Sequence, residues 1–287
     1  MLLQPAILKK SMPFGRFMIF NLKSGINLSD LKKILKTIKF DQHIIVGFGK
    51  KLMNKLGIEV TDYRQFPQLD VSVDIPATHG DLFVFMRDNE PGKVAIKSLP
   101  IKALLKPFFE TQLQVDGFKY LGQADGYGHD LTGYEDGTEN PLGGDAVKAV
   151  VREDGSTFVQ VQQWQHDLTK FNGFSQQQKD HTIGRSLATN KELEDAPASS
   201  HVNRSDQGTF DIEADILRRS LPWANEHGEG LVFMSFCENL DRFEVQMCRM
   251  AGLNDGISDA LFTFSKVLNS AYFYCPPVNT EFALKID

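Results

Sequence analysis

Gly80-Asp81-Leu82-Phe83-Val84-Phe85-Met86 and, in the second half of the chain, Gly230-Leu231-Val232-Phe233-Met234 are two versions of one pattern. Each is a glycine leading into an apolar run of strand length, rich in the β-branched and aromatic residues that suit a pleated surface. Working outward from the first copy, Phe17-Met18-Ile19-Phe20-Asn21-Leu22 and Ile44-Ile45-Val46-Gly47-Phe48 read as further strands. Between them Ser29 or Asp30 can cap a helix whose apolar face is Leu31, Ile34, Leu35 and Ile38, at helical spacing. Helical character returns across 92–111, where Pro100 and Pro107 should break or bend it. Around the second copy, residues 157–164 alternate as a strand and Asp167 starts a helical stretch. Helices are expected near 239–251 and 256–269, the last with Ile257, Leu261, Phe264 and Leu268 as one apolar stripe. Strands followed by helices, twice over, point to an α+β fold of two ferredoxin-like halves, 1–147 and 148–287. Gly143, Gly144 and Gly155 mark loops where the halves meet, and the strand-like Ala149-Val150-Val151 argues against a flexible linker there.

Composition narrows the class of protein. With 287 residues and 41% hydrophobic residues the chain can bury a sizeable core and is not disordered. A net charge of −6 without basic clusters argues against nucleic acid as a partner. Three cysteines, Cys237, Cys248 and Cys275, without Cys-x-x-Cys spacing favour a reducing compartment. The start, Met1 to Lys10, is too short and interrupted for a secretory h-region and lacks twin arginines. No apolar run approaches the ~18 residues of a membrane helix, so a cytoplasmic protein is expected.

The chemistry gathers in three segments. Gly133-Tyr134-Glu135-Asp136-Gly137-Thr138-Glu139-Asn140-Pro141 brackets an acid between glycines, which lets the backbone turn tightly and approach a ligand. Ser199-Ser200-His201-Val202-Asn203-Arg204 follows the acidic run Glu192-Leu193-Glu194-Asp195. Ile216-Leu217-Arg218-Arg219-Ser220-Leu221-Pro222-Trp223 precedes the second apolar strand. With Asp130-Leu131-Thr132 and Tyr272-Phe273-Tyr274-Cys275-Pro276-Pro277, these segments resemble the dye-decolourising (DyP-type) haem peroxidases, the bacterial short-loop branch in particular. The likeness runs from about Pro5 to Pro277. It implies two ferredoxin-like halves packed sheet to sheet (the dimeric α+β barrel type), a haem b cofactor, hydrogen peroxide and small organic reductants such as dyes and phenols as substrates, and homo-oligomers.

The resemblance also implies roles. His201 matches the proximal segment and would bind the haem iron, a common task for a neutral imidazole. His43, His79, His129, His166, His181 and His227 lack that context and read as structural, with His129 notable for its place beside the acid loop. A metal-bound imidazole usually donates its other N–H to a carboxylate. Asp259, off the apolar stripe of the expected 256–269 helix, is the first choice and Asp255 the competitor. Asp136 resembles the family's distal acid; at an ordinary carboxylate pKa of about 3.9 it is ionised at neutral pH and can shuttle a proton. Arg218 resembles the distal arginine, which stays protonated and acts electrostatically, with Arg219 as the alternative. Ser220 stands where relatives often carry asparagine. Leu231 and Phe233 would form a dry wall, although core packing explains them equally. Arg204 and Arg185 are candidate partners for haem carboxylates, surface arginines being the default. Trp164, Trp223 or the tyrosines could relay electrons from donors too bulky to enter.

Other classes lose by absence: there is no Gly-x-Ser-x-Gly elbow, phosphate loop or His-Glu-x-x-His motif. The rival readings are a haem-handling protein that transfers or dechelates the cofactor, and a structural α+β dimer that binds no metal. Some DyP-type relatives are packaged into protein shells through an extended C-terminal tail. The tail here, Thr280 to Asp287, ends soon after Pro277, which argues against such packaging.

Overall fold

A computed structural model describes residues 2–122, 128–281, 283, 284 and 286; of the segments read above, Met1 and the tail residues Phe282, Lys285 and Asp287 lie outside the described residues. The strands and helices follow in chain order. β1 (Phe14–Leu22), α1 (Leu28–Thr37), β2 (Ile44–Phe48), α2 (Lys50–Leu56), β3 (Leu82–Asp88), α3 (Pro91–Leu105) and β4 (Phe109–Phe118) make the first half. Then come the short hairpin β5 (Gly128–His129) and β6 (Glu135–Asp136), followed by α4 (Gly143–Val150). The second half holds β7 (Thr157–His166), α5 (Leu168–Asn172), α6 (Gln176–Ile183), α7 (His201–Ser205), β8 (Leu217–Arg218), β9 (Leu221–Asn225), β10 (Gly228–Cys237), α8 (Asp241–Met250) and β11 (Ser265–Cys275).

Among the described residues nine strands join in the order β7-β11-β2-β3-β1-β4-β9-β10-β8, and β10 pairs back onto β7. The sheet therefore closes on itself, which removes its open edges. Every pairing is antiparallel. The halves are thus more than two sheets face to face. They are stitched by two single contacts, Tyr274 opposite Phe48 and Gly117 opposite Trp223.

The period of two explains both cores. Phe17, Ile19, Phe83, Phe85, Val159, Val161, Val232, Met234 and Phe273 point inward and meet in one fully buried cluster contributed by both halves. The alternate residues Met18, Phe20, Leu82, Val84 and Met86 face outward and are covered by Leu31, Leu35, Leu52, Met53 and Val94 of α1, α2 and α3. Strands buried on both faces read as continuous apolar runs, as these do.

Several local expectations are corrected. The first helix is capped by Asn27, whose side chain accepts from Asp30 N, and not by Ser29 or Asp30. Pro100 lies within α3 without ending it. Ala149 and Val150 close α4, so the strand-like reading fails and the expected division at 147/148 falls inside a helix. The helix expected over 256–269 is absent. A 3-10 turn at Ala260–Thr263 leads directly into β11, which pairs with β7 along its length. Apolar spacing fitted a helix, but pairing with a neighbouring strand outweighed that local preference. No helix among the described residues is long and apolar enough to cross a membrane.

Close backbone contact explains Gly49, which packs against the first copy of the repeated pattern. A Cβ on Gly49 would lie 1.8 Å from the carbonyl oxygen of Gly80, so the two segments meet main chain to main chain. Gly49→Ala should lower stability by at least roughly 1–3 kcal/mol, whereas Gly92→Ala, with nothing within 4 Å of its new methyl group, should be close to neutral. Denaturant midpoints of the two variants check this.

Candidate active site

The outer face of β7 and β10 is the wall of a cavity. The alternation along β7 puts Gln162, Trp164 and His166 on this face, and along β10 it puts Leu231 and Phe233 there, opposite Trp164 and Gln162 respectively. The other sides come from α7, α8 and the acid hairpin: His201, Phe243, Met247, Met250, Tyr134 and Asp136. Arg218 completes it from β8, held against β10 by pairing with Ser235.

His201 is the first residue of α7, directly after its cap Ser200, whose hydroxyl accepts from Asn203 N. Its Nδ1 lies 2.8 Å from Asp259 Oδ2. Asp259 is buried, and its second oxygen accepts from Leu261 N at 2.8 Å, capping the 3-10 turn. With the carboxylate accepting, Nδ1 carries a proton, and in the neutral ring Nε2 is then the nitrogen that can act as an acceptor. The competitor Asp255 is engaged elsewhere, in a bidentate pair with Arg204 at 2.7 and 2.9 Å.

The acid hairpin is built by its own backbone. Gly133 N donates to Asp130 O and Asp130 N to Tyr134 O, and Gly133 and Gly137 take the positive φ values of 93° and 89° that favour glycine. His129 braces the turn by donating from Nδ1 to Gly133 O at 2.8 Å. This places Asp136 at the end of β6, where removal from water pushes its carboxyl above the ordinary range. The Arg218 charge and the Gly137 N–H pull it back, while Asp130 adds to the rise. Arg218 meets no carboxylate within ion-pair distance among the described residues, and its buried Nε has no hydrogen-bond partner. Its backbone is clamped on both sides by Asn140, which accepts from Arg218 N and donates to Arg218 O.

Other expected residues fall outside this cavity. Arg204 is buried and committed to Asp255 and the Arg249 carbonyl. Arg185 is tied to Glu139, Glu192 and the Asn190 carbonyl. Neither guanidinium lines the cavity. Ser220 accepts from Met234 N at 3.4 Å and, like Arg219, faces a second cavity that meets the first at Asp136 and Arg218. Trp223 is buried in the interior cluster.

Two groups in the cavity, His166 and Asp130, were not anticipated as functional, and Tyr134 was expected only among the tyrosines that could relay electrons. Buried His166 places Nε2 3.2 Å from Asp130 Oδ1 and Nδ1 2.7 Å from Ser265 Oγ. Asp130 also accepts from the Thr132 N–H and hydroxyl. Although burial opposes its ionisation, His166 and Thr132 more than offset that and hold it at about 2. Tyr134 lines the cavity and donates its hydroxyl to Asp180. The period-2 pattern Gln162, Trp164, His166 was the available signal for the first of these.

Comparison with known proteins places the chain in a family. The family described as Dyp-type peroxidase, C-terminal, matches residues 128–280, more than half of the chain. A dye-decolorizing peroxidase of Mycobacterium tuberculosis is 30% identical over 279 residues, covering 88% of this chain and 80% of that one. Among solved structures, the dye-decolorizing protein from V. cholerae superposes with a TM-score of 0.83 at 26% identity, over 94% of this chain and 96% of that one. A variant of Rhodococcus jostii DypB in complex with heme superposes at 0.86 and 23% identity, over 94% and 95% of the two chains. A cavity framed by the acid hairpin, the His201 turn and Arg218, on a closed α+β sheet, together with these matches, leads to one conclusion: the chain belongs to the Dyp-type peroxidase family.

Proposed function

We propose that this peroxidase holds haem b in the cavity between β7, β10, α7 and α8, with His201 as its iron ligand, and that Asp136 and Arg218 handle hydrogen peroxide while organic donors such as phenols and dyes are oxidised. The donor set fits the group. The walls are apolar and aromatic (Trp164, Leu231, Phe233, Phe243, Met247), and one imidazole nitrogen is left as an acceptor. One guanidinium nitrogen is buried without a partner. The observation that carries the reading is the 2.8 Å contact between His201 Nδ1 and Asp259 in a cavity that also contains Asp136 and Arg218.

When bound, haem would supply the redox-active iron through which two electrons pass from donors to peroxide. The remaining work falls to side chains. Asp259, by accepting the hydrogen bond from Nδ1–H, makes Nε2 a better donor atom and fixes the ring's orientation. Asp136, in its ionised form, would take the proton of one peroxide oxygen and return it to the other. Arg218 favours that ionised form and would donate its free Nε–H to the oxygen on which negative charge grows. Leu231 and Phe233 keep bulk water from the reacting atoms.

Arg218→Leu should keep haem but lower kcat/KM for peroxide by about two to three decades, the usual consequence of losing one preorganised donor. The same change removes a charge that depresses the Asp136 pKa. The acid limb of the pH–rate profile should therefore move to higher pH, activity disappearing earlier as pH falls. Stopped-flow rates across pH read both effects, and an unmoved limb with a near-wild-type rate sinks the assignment. Separately, Asp259→Asn leaves an acceptor but no charge, and should weaken haem affinity by about 10–100-fold in an optical titration. His201→Ala should abolish the Soret spectrum of a ligated haem.

A further inference from the structure

The second cavity, about 1330 Å³ with its mouth included, carries cationic groups that peroxide delivery does not explain. Its described lining holds the guanidinium groups of Arg218 and Arg219 beside Asp136, in a chain whose net charge is −6. The arginines are the informative pair. Arg219 has no carboxylate within ion-pair distance among the described residues. Its Nη1 is spent on the Arg218 carbonyl at 3.0 Å and its buried Nε has no partner. Burial lowers its pKa to about 10; Arg87, lowered by its own burial first and by the Arg219 charge second, donates to the carbonyl oxygens of Gln42, Lys9 and Ala6. Half-buried cations without an anion are costly, and a bound anion would relieve them. Hydrogen peroxide is neutral, and the charge that grows as it is cleaved is met by Arg218, so it calls for no second guanidinium. The rest of the lining includes Pro141, Leu142, Leu221 and Pro222, an apolar surface that an inorganic anion would leave unused.

We infer that this cavity binds a small organic carboxylate with an apolar body, its carboxylate group on Arg219 and Arg218, next to Asp136. As the class of reductant the enzyme admits, this rests on the peroxidase reading; as binding, it does not. The site would favour aromatic acids over the matching neutral alcohols, because only the anion compensates the guanidinium groups.

The test is calorimetric titration of the haem-loaded protein, without peroxide, with benzoate and with benzyl alcohol, while the Soret band is followed. Benzoate should bind at one site, at least ten-fold more tightly than benzyl alcohol and without moving the Soret band. Its affinity should fall with added sodium chloride, which needs no variant to test. Arg219→Gln should weaken benzoate at least ten-fold and Arg219→Lys should retain most of the affinity. Equal binding of acid and alcohol, no effect of Arg219→Gln, or a Soret shift showing that the acid sits on iron would each overturn the proposal. Inorganic phosphate competing as strongly as benzoate would overturn the organic part of it. Because no turnover enters the measurement, failure here leaves the peroxidase reading to be judged on Arg218→Leu alone.

Discussion

The contact between His201 and Asp259 organises the second half of the molecule. Asp259 is buried, and its two carboxylate oxygens are divided between the imidazole and Leu261 N. The backbone around it is equally occupied: Asp259 N donates to Met250 O and Ala260 N to Ser199 O. Three segments therefore converge on one carboxylate, the start of α7, the end of α8 and the turn into β11. A buried carboxylate left without partners costs several kcal/mol, so the fold that satisfies it also orients the ring. The tautomer of His201 is a consequence of packing more than a local preference.

The two halves share a strand pattern and use it differently. In the first, the outward residues Leu82, Val84 and Met86 disappear beneath helices and become core. In the second, the matching outward residues Leu231 and Phe233 stay partly exposed and line the cavity. The difference lies in what covers the sheet. The covering helices of the second half stand away from it, and the walls so exposed also carry Gln162, His166, Gln246 and Arg218. One architecture thus yields a packed layer on one side and a chemical site on the other.

The acid hairpin shows how a few residues separate two aspartates. Asp130 has an imidazole and two Thr132 donors and is held at about 2 despite burial. Asp136, at the far end of the same turn, has one backbone donor and a guanidinium at a distance, and is pushed above the ordinary range. Environments that drive like groups apart assign them different work. Asp130 is thereby favoured as an anion beside His166, whereas burial makes ionisation of Asp136 the costlier of the two.

Strand periodicity, the echo between Gly80–Met86 and Gly230–Met234, and the order of the three chemical segments were all legible in the residues. They sufficed for an α+β chain of two like halves, because inward–outward alternation is a local property that burial enforces. Local pattern failed where pairing decided. Residues 265–269 fitted the end of the expected 256–269 helix until β7 supplied a partner, and Asp259 reached His201 from a 3-10 cap and not from the helix face that had suggested it. Closure of the sheet through single contacts at Gly117 and Tyr274, the diversion of Arg204 and Arg185 to acidic neighbours, and the meeting of two cavities at Asp136 and Arg218 depend on residues far apart in the chain. Which charge finds which partner is settled by the distances that packing creates, and only the tertiary structure sets those.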